Sequence, residues 1–291
     1  MPVERRVAAP LGRSARLGAL VSALVVLAGA AAPADAASKP AQRWSGYVVT
    51  GKKVAFTSAT GTWVEPAVTC RRGVDPTLST VWVGIGGFAQ GSNVLDQVGT
   101  DANCDSTGRA SYFAWFELLP DIAHDVAGKV EAGDRMTGTV SVLGTNLIDV
   151  KIENRTRHWS FDRQIQAGSP DRTSAEWVVE APYSCLRFTC HQASLANFGS
   201  VAIGNIAATG NGRRGTLRGK GWKATPLVLA PCVQTIASVK KDGLPAVAVP
   251  RAVSADGTTF AIAWGQETGS PELCDAAASG NVGVLPDYTL G

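Results

Sequence analysis

The sequence predicts an all-β protein, either a sandwich or a barrel, on the evidence of three observations. Apolar residues recur at every second position in short runs such as GTVSVLG, VKIEN and TTFAIAWG, which is the period of a half-buried strand. Gly, Asp, Asn and Pro separate these runs, as expected for turns. Hardly any helical period is found along the chain. Many short strands of this kind are typical of sandwiches and barrels.

The first 36 residues predict a secretory signal peptide. Four arginines introduce an apolar core at residues 17–32, and ADA at residues 34–36 fits a small-x-small cleavage site. The alternative is an uncleaved membrane anchor, but a bilayer span needs about 20 apolar residues and this core is shorter. We therefore expect a secreted, extracellular protein with one β domain at residues 37–265 and an irregular tail at residues 266–291.

The predicted mature chain is nearly neutral. Removal of the signal lowers the net charge from +3 to about +1, because four Arg, Glu4 and Asp35 leave with it. This balance gives no electrostatic reason to expect nucleic acid or an anionic membrane as a partner.

All six cysteines follow the predicted signal, and an even count in a secreted chain predicts three disulfides. Six cysteines allow 15 pairings, so the sequence leaves the connectivity open. The pairs that we favour are Cys70–Cys104, Cys185–Cys190 and Cys232–Cys274. No cysteines have the two-residue spacing of a zinc knuckle and the three histidines are scattered, so no metal site is predicted.

Two familiar hydrolase signatures are missing, since the chain has no H-E-x-x-H and no G-x-S-x-G motif. A dispersed Ser/His/Asp triad stays open as an alternative. GNGRRG at residues 210–215 fits G-x-G-x-x-G, but no helix-forming segment follows it, so we interpret it as a hairpin loop. The basic residues in and after this loop indicate a solvated surface rather than a binding patch.

Several polar residues stand inside apolar, strand-like runs, and period-2 geometry sorts each run onto two faces. In SAEWVVE one face holds Glu176, Val178 and Glu180, and the other holds Ala175, Trp177 and Val179. The corresponding faces of three other runs are Trp82, Gly84 and Gly86; Leu95, Gln97, Gly99 and Asp101; and Phe113, Trp115 and Glu117. If these faces meet, they form an aromatic-walled groove that contains carboxyl and amide groups. On the pattern alone, ordinary solvent-facing strand positions are the commoner explanation.

Seven segments also carry a resemblance in register: RWSGYVVTG, FTSATGTWVEP, WVGIGG, LDQVGTD, YFAWFELLPD, SAEWVVE and LANFGSVAIGNI. Together they resemble the glutamic peptidases of the eqolisin family over about residues 43–264. The resemblance implies a two-sheet antiparallel β-sandwich of the lectin-like, concanavalin A-like type. It also implies a pepstatin-insensitive acid endopeptidase that acts on polypeptide substrates. We expect a monomer that needs no cofactor.

Carried over position by position, the resemblance implies that Glu176 is the catalytic glutamate and Gln97 the catalytic glutamine. It also assigns cleft-shaping tryptophans and supporting acids, which are Trp82, Trp115, Asp101 and Glu117. An ionised Glu176 can take a proton from water and return it to the leaving amine, while the Gln97 amide can donate to the oxyanion. Since free glutamate titrates near pH ~4.3, such a base is expected to stay ionised in acid. Glu180 is interpreted as a solvated neighbour.

Two candidate substrate-binding positions depart from the family pattern. Gly86 stands where the family usually carries an aspartate, and Phe113 stands where fungal members carry another acid. Losing two carboxylates makes the cleft less negative, so we expect altered pH dependence and specificity, with a disabled site as the alternative.

Two other functions stay open at this point. A carbohydrate- or protein-binding module of the same architecture could use Trp82 and Trp115, but it would not need Gln97 and Glu176 together. A glycoside hydrolase could use Glu176 with Glu117 if the carboxyl groups flank the bond at the required separation. The sequon NRT could accept a glycan at Asn154, although a bare turn is the commoner explanation.

Overall fold

A computed structural model describes residues 39–186, 189–230 and 247–265, which form strands joined by turns and loops. In chain order the strands are β1 (Lys39–Ala41), β2 (Trp44–Thr50), β3 (Phe56–Val64), β4 (Thr77–Leu78), β5 (Thr80–Gly86), β6 (Leu95–Cys104), β7 (Ala110–Leu118), β8 (His124–Val126), β9 (Arg135–Val142), β10 (Leu147–Asn154), β11 (Trp159–Gln166), β12 (Ser174–Glu180), β13 (Tyr183–Leu186), β14 (Thr189–Gln192), β15 (Ser194–Leu195), β16 (Ser200–Gly210), β17 (Arg213–Gly215), β18 (Lys223–Leu229), β19 (Ala248–Pro250) and β20 (Phe260–Trp264). No helix occurs in these ranges, so the all-β prediction is confirmed.

Hydrogen bonds connect most of the strands into one large, mostly antiparallel sheet. Its main path runs β8–β7–β6–β5–β12–β2–β18–β19–β20–β16–β3–β9–β10–β11. The sheet curls until it is nearly closed like a barrel. Phe116 on β7, near one end of this path, stacks on Phe161 on β11 at the other end, with ring centroids 5.5 Å apart. The predicted division into two separate sheets is not observed in the described residues, since the pair Leu229 and Ala248 joins β18 to β19.

The inner face of the curled sheet holds the main hydrophobic core. Trp177 of β12 is fully buried there, and its indole lies so close to Gly61 that a Cβ at that glycine would be 2.9 Å from Trp177 Cδ1. The indole Nε1 donates to the carbonyl of Thr60 at 2.8 Å. Ala175 and Val179 belong to the same core, which confirms the predicted inward face of β12. Truncating a buried tryptophan to alanine in such a core typically costs about 3–5 kcal/mol.

The outer face of β12, β5, β6 and β7 carries a second, smaller apolar cluster. Its buried members are Trp82, Leu95, Trp115 and Val178, with Trp44, Phe113 and Leu119 packed around them. Gly99 makes room for the indoles, since a Cβ there would lie 2.7 Å from Trp82 Cβ and 3.1 Å from Trp115 Cζ2. The faces that period-2 geometry predicted therefore do meet, and they form a packed surface outside the main core.

Two smaller sequence predictions concern turns. β16 and β17 form the hairpin expected from GNGRRG, with Asn211 and Gly212 at positive φ in the turn. Asn154 is buried and its Nδ2 donates to Asp134 Oδ2 at 2.8 Å. A side chain held in this way favours the bare turn over a glycan.

The three predicted disulfides have different outcomes. Cys70 and Cys104 are bonded, as predicted. The backbone register sets Cys185 opposite Cys190 on β13 and β14, and their bond stays a prediction. Cys232 and Cys274 lie outside the described residues, as do the predicted signal peptide and tail. The part of the chain that the structure describes contains no helix long and apolar enough to cross a membrane.

Candidate active site

A single cross-strand row brings the two predicted catalytic residues together. Glu176 on β12 lies opposite Gly84 on β5, and Gly84 lies opposite Gln97 on β6. Glu117 on β7 extends the row next to Gln97. Neighbouring strands are about 4.8 Å apart, so the Cα atoms of Glu176 and Gln97 are about 9.6 Å apart. Gly84 has no side chain of its own, and the Trp82 and Leu95 side chains reach over it, since a Cβ there would lie 3.1 Å from Trp82 Cζ3 and 3.1 Å from Leu95 Cδ1.

Glu176 is fully buried, and within the described part of the chain neither of its carboxyl oxygens has a hydrogen-bond partner. Burial raises its pKa well above the usual value; the nearby Ser174 hydroxyl opposes this rise, and the negative charge of Asp171 adds to it. Buried polar groups in proteins are normally hydrogen-bonded, so an exception of this kind marks a candidate functional group. The pKa of Glu176 is therefore higher than that of the free glutamate on which the expectation of ionisation in acid was based.

Gln97 is oriented by one of its neighbours in the row. Its Nε2 donates to Glu117 Oε2 at 2.6 Å, whereas its Oε1 is buried without a partner in the described residues. A side-chain amide carries two N–H groups, so the second one can donate elsewhere. Burial raises the pKa of Glu117 to about 7, and the negative charge of Glu180 contributes to the rise.

The two predicted cleft tryptophans donate hydrogen bonds to carboxyl groups. Trp82 Nε1 donates to Glu180 Oε2 at 2.8 Å, and Trp115 Nε1 donates to Asp101 Oδ1 at 2.6 Å. Trp82 has no exposed surface and Trp115 has 7%. They therefore form the packed wall of the site and present little open ring surface on which a sugar could stack.

Glu180 is not the solvated neighbour that the sequence suggested. It is 7% exposed, and in addition to its bond from Trp82 it forms an ion pair with Arg43 at 3.0 Å. Burial raises its pKa, and the Arg43 charge opposes that rise. The alternation of β12 already placed Glu180 on the same face as Glu176, and this signal could have identified it.

Asp101 and Phe113 face each other across β6 and β7. Asp101 accepts from Asn103 Nδ2 at 3.1 Å as well as from Trp115. Burial raises its pKa to about 7 against these hydrogen bonds. Phe113 packs on the outer apolar cluster, so the position lacking an acid is filled by an aromatic ring.

Gly86 ends β5 with a φ of 88°, and a Cβ there would lie 2.6 Å from the carbonyl oxygen of Asp171. An aspartate at this position would therefore collide with the backbone that leads into β12. Asp171 itself accepts hydrogen bonds from Ser92 Oγ at 2.6 Å and from the Gly87 amide at 3.2 Å. Asp171 lies in a loop without periodicity, so no pattern in the sequence predicts a role for it.

A groove of about 620 Å³ opens on the same side of the sheet as Glu176. Trp44 and Thr50 line it, and both share the period-2 face of Val48, which pairs with Glu176. The other lining residues are Lys39, Ala41, Gly51, Phe88, Ala89, Gln90, Thr173 and Leu227. Phe88 and Gln90 come from the loop between β5 and β6. Within the described ranges, no group of three or more His, Cys, Asp or Glu is placed to hold a metal ion.

A buried carboxyl and a side-chain amide thus share one face of the sheet, on the side where the groove opens, although neither Glu176 nor Gln97 lines that groove. The chain belongs to the Peptidase A4 family, whose model matches residues 42–243. The eqolisin resemblance is thereby confirmed, and the protein is a glutamic endopeptidase.

Curated relatives and solved structures agree with this assignment. The chain is 27% identical to aspergillopepsin-2 of Aspergillus niger over 74% of its length and 76% of that protein. It is 28% identical to scytalidopepsin B of Scytalidium lignicola over 49% of its length and 52% of that protein. A crystal structure of scytalido-glutamic peptidase with a transition-state analog inhibitor matches the fold with a TM-score of 0.60, at 23% identity, over 77% of this chain and 98% of that one. These findings favour the peptidase over the sugar-binding and glycosidase alternatives.

Proposed function

We propose that this protein is a secreted endopeptidase in which Glu176 activates the attacking water and Gln97 stabilises the oxyanion. The observation that carries the proposal is the row Glu176, Gly84, Gln97, in which the two side chains share one face of the sheet and a glycine stands between them. Their Cα atoms are about 9.6 Å apart, and the proposal places the scissile peptide bond between the two side chains.

Glu176 supplies the proton transfers. Its ionised form removes a proton from water as the oxygen attacks the carbonyl carbon, and the resulting carboxylic acid returns that proton to the leaving nitrogen. In the described residues neither carboxyl oxygen meets hydrogen-bond geometry with a protein group, and the nearby Ser174 hydroxyl is the polar group that acts on the carboxyl. A positioned acid or base of this type contributes roughly 10²- to 10⁴-fold in rate.

Gln97 supplies an uncharged hydrogen-bond donor. Glu117 holds one of its Nε2 hydrogens, which fixes the amide plane and leaves the second hydrogen for the developing negative charge on the substrate oxygen. Preorganised donors of this kind are effective because they do not reorganise during the reaction. Glu117 thus acts through Gln97 and does not need to touch the substrate.

The pH range of the reaction follows from the state of Glu176. A general base works only when ionised, and burial has raised the pKa of Glu176 well above that of a free glutamate. We therefore expect kcat/KM to rise with pH above 4.5, so that the optimum is shifted upward from the strongly acidic range that a free glutamate would allow.

The substrate class is polypeptide, and the groove on the same side of the sheet as Glu176 is lined by both apolar and polar residues, which suits a peptide chain. A related structure, that of SCP-B, was solved in a complex with the tripeptide Ala-Ile-His. The proposal that the protein is secreted is based on the predicted signal peptide. We also propose that it acts as a monomer.

The test is degradation of a denatured protein from about pH 2 to pH 8 with pepstatin present. Glu176→Gln and Gln97→Ala are compared with wild type and with Glu153→Gln, a matched change on β10 outside the site. We expect losses of roughly 10²-fold or more in the two site variants and wild-type rates in the control. Full activity in a folded Glu176→Gln variant would contradict the proposal.

A further inference from the structure

Two loops meet beside Glu176, and one carboxylate joins them. The β5–β6 loop comprises residues 87–94, and the β11–β12 loop comprises residues 167–173. Asp171 of the second loop accepts at Oδ2 from Ser92 Oγ at 2.6 Å and from the Gly87 amide at 3.2 Å. Its Oδ1 accepts from the Thr173 amide at 2.9 Å and from Thr173 Oγ1 at 2.7 Å. One oxygen therefore holds the β5–β6 loop, while the other holds the segment that enters β12.

The backbone around this contact is closely packed. A Cβ at Gly86 would lie 2.6 Å from the Asp171 carbonyl oxygen, 2.8 Å from Asp171 Cβ and 2.9 Å from the Val94 carbonyl oxygen. Gly86 and Gly87 both have positive φ, which glycine adopts without strain. The turn at the end of β5 is thus shaped to fit against Asp171.

Asp171 is also charged under conditions in which buried carboxyls nearby are not. Partial burial pushes its pKa upward, but the hydrogen bonds from Ser92, Thr173 and Gly87 outweigh burial and hold the pKa below the usual value. Its negative charge raises the pKa of two neighbouring carboxyls, Glu176 and Asp96. A hydrogen bond to an ionised acceptor is stronger than one between neutral groups.

We propose that Asp171 is a positioning residue of the peptidase site: it locks the β5–β6 loop against the segment entering β12 and so fixes Phe88 and Gln90 on the groove that receives substrate. This inference rests on the proposed function, because it takes the groove as the substrate site. The Asp171 charge has a second effect, since it makes Glu176 a stronger base. The neighbouring groups that change the pKa of Glu176 are the Ser174 hydroxyl, which lowers it, and the Asp171 carboxylate, which raises it.

Three variants separate the two effects. Ser92→Ala removes one hydrogen bond between Asp171 and the β5–β6 loop but keeps the charge. Asp171→Asn removes the charge and replaces one acceptor oxygen by an NH2 group, which faces either the donors of the β5–β6 loop or those of Thr173. Asp256→Asn is the matched control. Asp256 accepts from Ser254 Oγ at 2.6 Å, from the Thr258 amide at 3.0 Å and from Thr258 Oγ1 at 2.8 Å, in a loop between β19 and β20.

The experiment measures kcat and KM separately across pH, together with amide hydrogen exchange in the β5–β6 loop. We expect Asp171→Asn to raise KM about tenfold, consistent with losing hydrogen bonds to a charged acceptor, and to move the acidic limb of kcat/KM to lower pH by a few tenths of a unit. Ser92→Ala should raise KM less and leave the limb in place. Asp171→Asn and Ser92→Ala should both speed amide exchange at Gly87. Asp256→Asn should change neither KM nor the exchange at Gly87.

A wild-type KM in both Asp171→Asn and Ser92→Ala would overturn the proposal, as would unchanged exchange at Gly87. If Asp171→Asn fails to fold, Ser92→Ala alone decides by the same two readouts. A wild type without peptidase activity would contradict the proposed function instead. The exchange comparison would then decide on the loop contact without any substrate.

Discussion

At the residue scale, the chemistry of the site is set by what surrounds each carboxyl group. Glu176 and Asp101 are buried and Glu117 is partly buried on one face, and burial raises the pKa of each. Glu180 differs because it has a cation, Arg43, at 3.0 Å. Residues of the same type in one cluster therefore differ in their neighbours, which is how nearby acids can take different roles.

Glu180 provides a residue-scale prediction. Glu180→Leu leaves Arg43 and the Trp82 Nε1 without their acceptor in a buried environment, so we expect a loss of about 2–4 kcal/mol in the free energy of unfolding. Glu180→Gln keeps an oxygen for Trp82 and should lose less. Urea unfolding of both variants at one pH measures this, and equal stability of Glu180→Leu and wild type would contradict it.

At the element scale, β5 determines the geometry of the catalytic pair. It lies between β12 and β6, and its alternation sends Val81, Val83 and Ile85 to the main core. The glycine at position 84 keeps the outer side of this strand flat at the point between Glu176 and Gln97. A side chain there would occupy the space in which we place the scissile bond.

Gly84→Ala tests this element. A Cβ at Gly84 would lie 3.0 Å from the Asp96 carbonyl oxygen and 3.1 Å from Trp82 Cζ3, so we expect a modest loss of stability, about 1–3 kcal/mol, and a fall of kcat/KM of roughly 10²-fold. Gly204→Ala on β16 is the control, since the nearest atom to its Cβ is at 3.5 Å. Unimpaired kcat/KM in Gly84→Ala would rule out a substrate position over β5.

At the scale of the whole molecule, buried carboxyl groups couple stability to pH. Burial raises the pKa of Glu65 to about 8 and that of Asp96 to about 7. Glu65 lies in the core side of the sheet, where its Oε2 accepts from Thr100 Oγ1 at 2.5 Å and from Trp63 Nε1 at 3.3 Å. In the unfolded chain such groups titrate near pH ~4.

The resulting prediction is that stability falls as pH rises. Between the unfolded and folded pKa values the folded state holds a proton that the unfolded state has lost, so each group lowers the free energy of unfolding by about 1.4 kcal/mol per pH unit. This stabilisation is complete below pH ~4 and is lost as pH rises through about 7–8. Tm should fall between pH 5 and pH 8, and Glu65→Gln should flatten the decline relative to Glu153→Gln. A Tm that rises over this range would refute the prediction.

Sequence alone determined the strand content and the two faces of β12, β5, β6 and β7. This was possible because a strand alternates with a period of two, so SAEWVVE by itself separates Glu176 from Trp177. The same local rule identified the glycine turn after β16. The seven motifs in register added the family, and with it the candidate pair Glu176 and Gln97.

Only the tertiary structure decided what those faces contact. Whether Glu180 is solvated depends on Arg43 and Trp82, which come from distant parts of the chain. Asp171 reaches Ser92 across 79 positions in sequence, and no local pattern encodes such a contact. The ionisation of Glu176 depends on burial and on a neighbouring charge, since desolvation and Coulomb energy are functions of distance in space and not of position along the chain.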